Sequence, residues 1–191
     1  YKFKMNKIGI TGSLASGKST ASKILRNKGP VFSADSVVKK LYTQKEFRKY
    51  ISKKLKIQSS SNLKSLIKQK ILSDKSFFKK LEKIIHPLVR NEMTNFIKKH
   101  KNKKFTFFEI PLLVESRLMK KFDLILFIKA KRSLRMKRFK QKGGDKVLFN
   151  ILNAKQLSDK NKAKHCDFVV VNEKNLDILK KNLLDILKRY E

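Results

Sequence analysis

Residues 12–19 read Gly-Ser-Leu-Ala-Ser-Gly-Lys-Ser, the G-x-x-x-x-G-K-[ST] spacing of a phosphate-binding loop. Gly12 and Gly17 let the backbone curl so that successive N–H groups point at phosphate oxygens. The helix N-terminus expected to follow adds partial positive charge. Lys18 is expected to reach the terminal phosphates, and the Ser19 hydroxyl to ligate Mg²⁺. Gly12, Ala15, Ser16, Gly17, Lys18, Ser19 and Thr20 are therefore the expected contacts for a nucleoside triphosphate.

A phosphate loop does not say what happens to the phosphate. Asp35 closes Ser33-Ala34-Asp35, where a carboxylate could accept a proton from an attacking hydroxyl or hold a water on Mg²⁺. It could equally cap a helix beginning at Ser36 or Val37. Glu109 and Glu115 bracket Ile110–Val114, and Glu109 stands where an acidic group can support magnesium through water. His86 precedes Pro87 and is open to a structural or a functional role. Lys131–Lys142 gathers seven basic residues, three of them arginines, ahead of Gly143-Gly144. That cluster suits a lid closing over phosphates, because an arginine fork clamps phosphate oxygens; the alternative is a solvated basic face. His165 and Cys166 are adjacent and make no metal site.

Apolar runs over 7–11, 29–33, 104–109, 123–128 and 168–171 predict strands. Near-continuous runs of this length belong in a parallel sheet covered on both faces. The expected fold is α/β: a doubly wound, five-stranded parallel sheet with ligands beyond the strands' carboxyl ends. Residues 20–26 have helical spacing after the loop, with Gly29 as the stop signal. Helical spacing also recurs over 37–42, 47–55, 63–72, 77–85 and 88–97, with Ser61 or Asn62 as a cap. The expected organisation is a nucleotide-binding core over 5–36 and 104–191, a lid near 131–146 and a helical insertion over 37–103. A closing helix over 176–190 places Leu176, Leu179, Leu183, Ile186 and Leu187 on one face.

The chain has 191 residues, with 49 Lys+Arg against 15 Asp+Glu, a formal charge of +34. Only eight of those cations are arginine, and the lysines are spread rather than striped. Lys, Ile, Asn and Phe are plentiful while Gly, Ala and Pro are scarce, as codon drift in an A/T-rich genome would produce. Nucleic acid is accordingly not the expected partner, although the charge should speed encounter with anionic substrates. One cysteine excludes an intramolecular disulfide and fits a reducing compartment. No apolar segment approaches the ~20 residues that span a bilayer. A cytoplasmic protein, a monomer or weak homo-oligomer with no membrane partner, is expected, with Tyr1–Lys4 ahead of its natural start at Met5.

The motifs in order resemble the dephospho-CoA kinase family from Met5 to Tyr190. The resemblance lies in Ile10-Thr11-Gly12, Ser33-Ala34-Asp35, Ile85-His86-Pro87-Leu88-Val89 and Pro111-Leu112-Leu113-Val114-Glu115. It ends with Gln156 and, ten residues on, Cys166-Asp167-Phe168-Val169-Val170-Val171-Asn172. It implies a P-loop kinase with core, helical substrate domain and lid, moving the γ-phosphoryl of ATP to the ribose 3′-hydroxyl of dephospho-CoA. It implies Asp35 as base and Lys18 and Ser19 as phosphate and magnesium contacts. Arg138 and Lys142 would be the lid's basic pair toward ATP, and Thr11, Asp35, His86 and Arg90 the substrate contacts. The chain departs from the family pattern at Ser33, an aspartate in relatives, and at Ser13 and Ala15, which replace common glycines. Asp159 replaces a basic residue, and the turn at Gly143-Gly144 is about one residue short. These bear on rate and lid geometry rather than reaction type, since Asp35, Lys18 and Ser19 are present. Two rivals are a nucleoside monophosphate kinase-like enzyme and a nucleic-acid-binding P-loop ATPase, the latter predicting nucleic-acid-stimulated hydrolysis. A third is a degenerate homologue that keeps nucleotide binding alone.

Overall fold

The computed structural model describes residues 6–58 and 62–191. The expectations for Tyr1–Lys4 and for a cap at Ser61 fall outside those residues. The chain separates into two units, one taking in residues up to Ser33 and from His100 onward, the other Ala34–Lys99.

The first unit is built on an all-parallel five-stranded sheet, β1 (Asn6–Gly12), β2 (Val31–Ser33), β3 (Phe105–Glu109), β4 (Leu124–Lys129) and β5 (Phe168–Val171), in the order β2-β3-β1-β4-β5. β1 stands at the centre and is buried from Ile8 through Gly12, so no side chain of that run faces water. Its apolar residues Ile8 and Ile10 join Phe105, Phe107, Leu124, Leu126 and Ile128 in one core. Two helices cover that core: α1 (Lys18–Leu25), through Ala21 and Leu25, and α9 (Leu176–Lys188), through Leu179, Leu183, Ile186 and Leu187. Each such buried aliphatic or aromatic side chain contributes about 1.5–3 kcal/mol.

The strands fall where the apolar runs predict them, and the doubly wound parallel sheet is the observed fold. Several boundaries differ. The helix after the loop begins at Lys18, inside the motif, so the loop's last N–H groups belong to its first turn. It ends at Leu25 with Arg26 as cap rather than at Gly29. Gly29 instead lets the chain pass the backbone of Phe105, where a Cβ would collide with the Phe105 carbonyl. Leu176, expected on the buried face of α9, is the first residue of that helix and is 61% exposed, at the wall of an open cavity.

The basic stretch forms α6 (Arg132–Gln141), a short helix that ends ahead of Gly143-Gly144, and α7 (Lys146–Ala154) follows. Between them Gly143 has φ 82°, a left-handed turn that favours glycine. The Asp145 carboxylate caps α7 by accepting from Leu148 N, and Phe139 of α6 meets Phe149 of α7 edge-on at 5.6 Å. A short helix, α8 (Asp159–Ala163), precedes β5.

The second unit is helical among the described residues: α2 (Ala34–Leu41), α3 (Lys45–Leu55), α4 (Leu63–Ser73) and α5 (Lys75–Lys99). Phe47, Ile51, Leu63, Ile67, Phe77 and Leu81 form its core. The two segments expected on either side of His86-Pro87 are one 25-residue helix that runs through the proline. Proline removes one backbone N–H and disfavours a helix interior, yet Ile84, Ile85 and Leu88 pack against this core on both sides of it.

Candidate active site

The loop leaves β1 at Gly12 and enters α1 at Lys18, so its geometry follows from a strand stopping where a helix starts. A Cβ on Gly12 would lie 2.5 Å from the Ile128 carbonyl and 2.6 Å from Ser16 Oγ, so only glycine fits between the loop and β4. Gly17 has φ 102°, and a Cβ there would overlap the Asn172 amide. Ala15 also sits in the left-handed region, φ 59°, which makes the glycine common at that position intelligible.

Lys18 lies 8% exposed inside the curl, donating from Nζ to the Gly12 carbonyl at 2.9 Å and the Ser13 carbonyl at 3.0 Å. Ser19 Oγ donates to Glu109 Oε1 at 2.5 Å. Glu109 ends β3 in register with Ile10, which brings its buried carboxylate beside the loop from 90 residues away. A hydroxyl beside a carboxylate is a hard-oxygen donor set of the kind magnesium takes, so the residues fit that ion. Among the described residues no group of three or more His, Cys, Asp or Glu could hold a metal by itself.

Arg138 of α6 reaches the loop from the other side, donating to the Ser16 carbonyl at 3.2 Å and the Asn172 carbonyl at 3.0 Å. The Asn172 side chain also donates to the Ser16 carbonyl, at 2.9 Å. Ser16 Oγ itself is buried and makes no hydrogen bond among the described residues. Beside these groups opens a cavity of about 470 Å³, walled by Ala15, Gly17 and Thr20, by Arg138 and Lys142, and by Asn172 with Asn175 and Leu176. The structure thus brings the loop, Arg138 and Lys142 to one concavity, of a size to admit a nucleotide.

Thr11 is fully buried, its hydroxyl donating to the Pro111 carbonyl at 3.3 Å. Asp35 lies in the first turn of α2, which starts at Ala34, so it is not the N-cap of a helix starting at Ser36 or Val37. His86 and Arg90 share one face of α5, with His86 Nε2 4.0 Å from Glu82. Burial, then the Arg90 cation, lowers the His86 pKa from its ordinary value.

Further residues hold the loop from outside. Gln156 Oε1 accepts from Leu14 N at 2.9 Å. Arg135, 5% exposed, donates to the Leu14 carbonyl at 3.3 Å and to Asn153 Oδ1 at 2.8 Å. Burial lowers its pKa, against the opposing pull of Asp159. Ser13 Oγ donates to Asp159, so two positions that depart from the family pattern are bonded to each other. In a chain this rich in lysine no local signal separates a buried cation such as Arg135 from a solvated one.

The family profile described as dephospho-CoA kinase matches residues 6–177. The chain is 31% identical to the dephospho-CoA kinase of Bartonella henselae, over 96% of this chain and 97% of that one. It is 33% identical to the dephospho-CoA kinase of Rickettsia conorii, with the same coverage. Among solved structures, TT1252 from Thermus thermophilus superposes with a TM-score of 0.79 at 26% identity, over 97% of this chain and 98% of that one. Dephospho-CoA kinase from Campylobacter jejuni superposes with a TM-score of 0.62 over 98% of each chain, and at 22% identity that likeness speaks for the fold alone. A profile match over residues 6–177 and relatives aligned over 96% of the chain, on a sheet of this order, place this protein in the dephospho-CoA kinase family.

Proposed function

We propose that the chain transfers the γ-phosphoryl of ATP to the ribose 3′-hydroxyl of dephospho-CoA, with Gly12–Thr20 as the triphosphate cradle. The observation that carries this reading is the meeting of Lys18, the Ser19–Glu109 pair and Arg138 around one loop beside a cavity. The base and ribose occupy that cavity, between the end of α6 and the segment after β5. Lys18 turns from the Gly12 and Ser13 carbonyls toward the terminal phosphates, and Arg138 and Lys142 add positive charge at the rim. Mg²⁺, held by Ser19 with Glu109 behind it through water, would neutralise charge on the transferring group.

Asp35 accepts the proton of the attacking hydroxyl. It follows Ser33 by two residues, and Ser33 pairs in register with Glu109 at the strand end where the loop also lies. The helical unit 34–99 holds the acceptor, with His86 and Arg90 as its contacts. His86, with its depressed pKa, serves as a neutral hydrogen-bonding group at neutral pH. Family membership does not favour the monophosphate-kinase or nucleic-acid ATPase readings. No helix among the described residues is long and apolar enough to cross a membrane. A single cysteine suits the reducing cytoplasm, where the enzyme works as a monomer or weak homo-oligomer.

Incubation with ATP, Mg²⁺ and dephospho-CoA should yield coenzyme A by mass. Asp35→Ala should cut turnover by about 10²–10⁴-fold while ATP affinity moves less than about threefold. Turnover within a few-fold of wild type would remove Asp35 from the base role.

A further inference from the structure

The chemistry above makes no use of a buried ion pair next to the loop. Lys162 in α8 is 0% exposed, and its ammonium stands 2.9 Å from Glu115 Oε1. It makes no aligned hydrogen bond among the described residues, so Coulomb attraction holds the pair. Glu115 Oε1 also accepts from Leu157 N at 3.0 Å, and its Oε2 is buried without a partner. Burying two charges that are incompletely hydrogen-bonded is a poor way to stabilise a fold, since apolar residues of similar volume often do as well. Position accounts for the pair better than stability does.

Glu115 follows β3 and grips the segment 157–162 at two points, Leu157 and Lys162. Two side chains reach the loop from this region: Gln156, just ahead of the segment, takes the Leu14 N–H, and Asp159 within it takes the Ser13 hydroxyl. Arg135 holds the Leu14 carbonyl from the opposite side. Within the loop, Ser16 N donates to the Ser13 carbonyl at 3.1 Å, so the placement of Ser13 passes directly to the phosphate-facing turn.

We propose that Glu115 and Lys162 are positioning residues. They fix residues 156–159 as a strut that sets Ser13 and Leu14, and with them the first half of the phosphate loop, for the triphosphate. This rests on the reading of Gly12–Thr20 as the ATP site. A loop whose donors are already spaced for phosphate loses less entropy on binding, so loosening the strut weakens ATP specifically and leaves the acceptor untouched.

The test is direct binding by calorimetry of Mg·ATP and, separately, of dephospho-CoA. The proteins are wild type, Glu115→Leu/Lys162→Met, Gln156→Leu and Lys18→Ala. The double variant leaves no unpaired buried charge and should melt within about 5 °C of wild type. It should bind ATP about tenfold more weakly and dephospho-CoA within about twofold of wild type. Gln156→Leu, which touches no buried charge, should show the same selective loss, and it decides the matter if the double variant does not fold. Unchanged ATP affinity in folded variants overturns the proposal, and so does an equal loss for both ligands. Lys18→Ala separates the two failures. If it binds ATP like wild type, the loop is not the ATP site; if it binds weakly while the strut variants do not, only the strut is wrong.

Discussion

Gly17→Ala sets a methyl group into a position whose surroundings allow its cost to be worked out. Gly17 has φ 102°, where an L-residue costs roughly 1–2 kcal/mol. The added Cβ would overlap the Asn172 amide, the far end of a side chain that donates to the Ser16 carbonyl at 2.9 Å. Asn172 is 6% exposed, so its amide leaves that bond without gaining water, for about 1 kcal/mol more. The sum is about 2–3 kcal/mol, which for a chain of this length lowers the melting midpoint by roughly 5–10 °C. Asn172→Ala alone removes the same hydrogen bond and should cost about 1 kcal/mol. The double variant should therefore cost about 1 kcal/mol less than the sum of the singles, because the shared bond is lost only once. Calorimetric melting of the four proteins measures this cycle. If the two costs add within about 0.5 kcal/mol, the new methyl does not meet Asn172, and the account of why glycine stands at 17 is refuted.

Burial, helped by the Asp167 and Glu115 carboxylates, pushes the Cys166 thiol from 9.0 up to about 11. At pH 8 its thiolate fraction is then roughly 100-fold below that of the unfolded chain, and labelling by a disulfide reagent should slow in proportion; equal rates in native and denatured protein would contradict the burial. Because the folded value is the raised one, the stability this group contributes is present below about pH 9 and lost between about 9 and 11. A Cys166→Ser protein should show a flatter stability profile over that range. Phe107, fully buried in β3 and stacked on Phe105 at 6.3 Å, should cost about 3–5 kcal/mol on Phe107→Ala. A loss below about 1.5 kcal/mol in urea titration would mean that β3 is not central to the core.

What could be read along the chain is what neighbouring residues impose on one another. A strand-length apolar run, a glycine-bounded loop and a helical face follow each other within 20 residues, and the structure keeps them in that form. β3 and β4 announce themselves in the same way, because a strand buried on both faces is largely apolar. Local signals mislead where packing outweighs them. Pro87 reads as a boundary, yet apolar residues on both sides of it pack into one core and keep the helix continuous.

Tertiary structure alone decided which distant groups meet. Strand order puts β3 beside β1, and that register, not any spacing, delivers Glu109 to Ser19. Asn172 and Arg138 converge on the Ser16 carbonyl because β4 and β5 lie on the other side of β1. Lys162 shows the limit most plainly. It is chemically the same as its many solvated counterparts, and only the fold removes it from water and sets it against Glu115. Local sequence specifies conformation through near neighbours, whereas burial and charge pairing depend on which surfaces the sheet topology brings face to face.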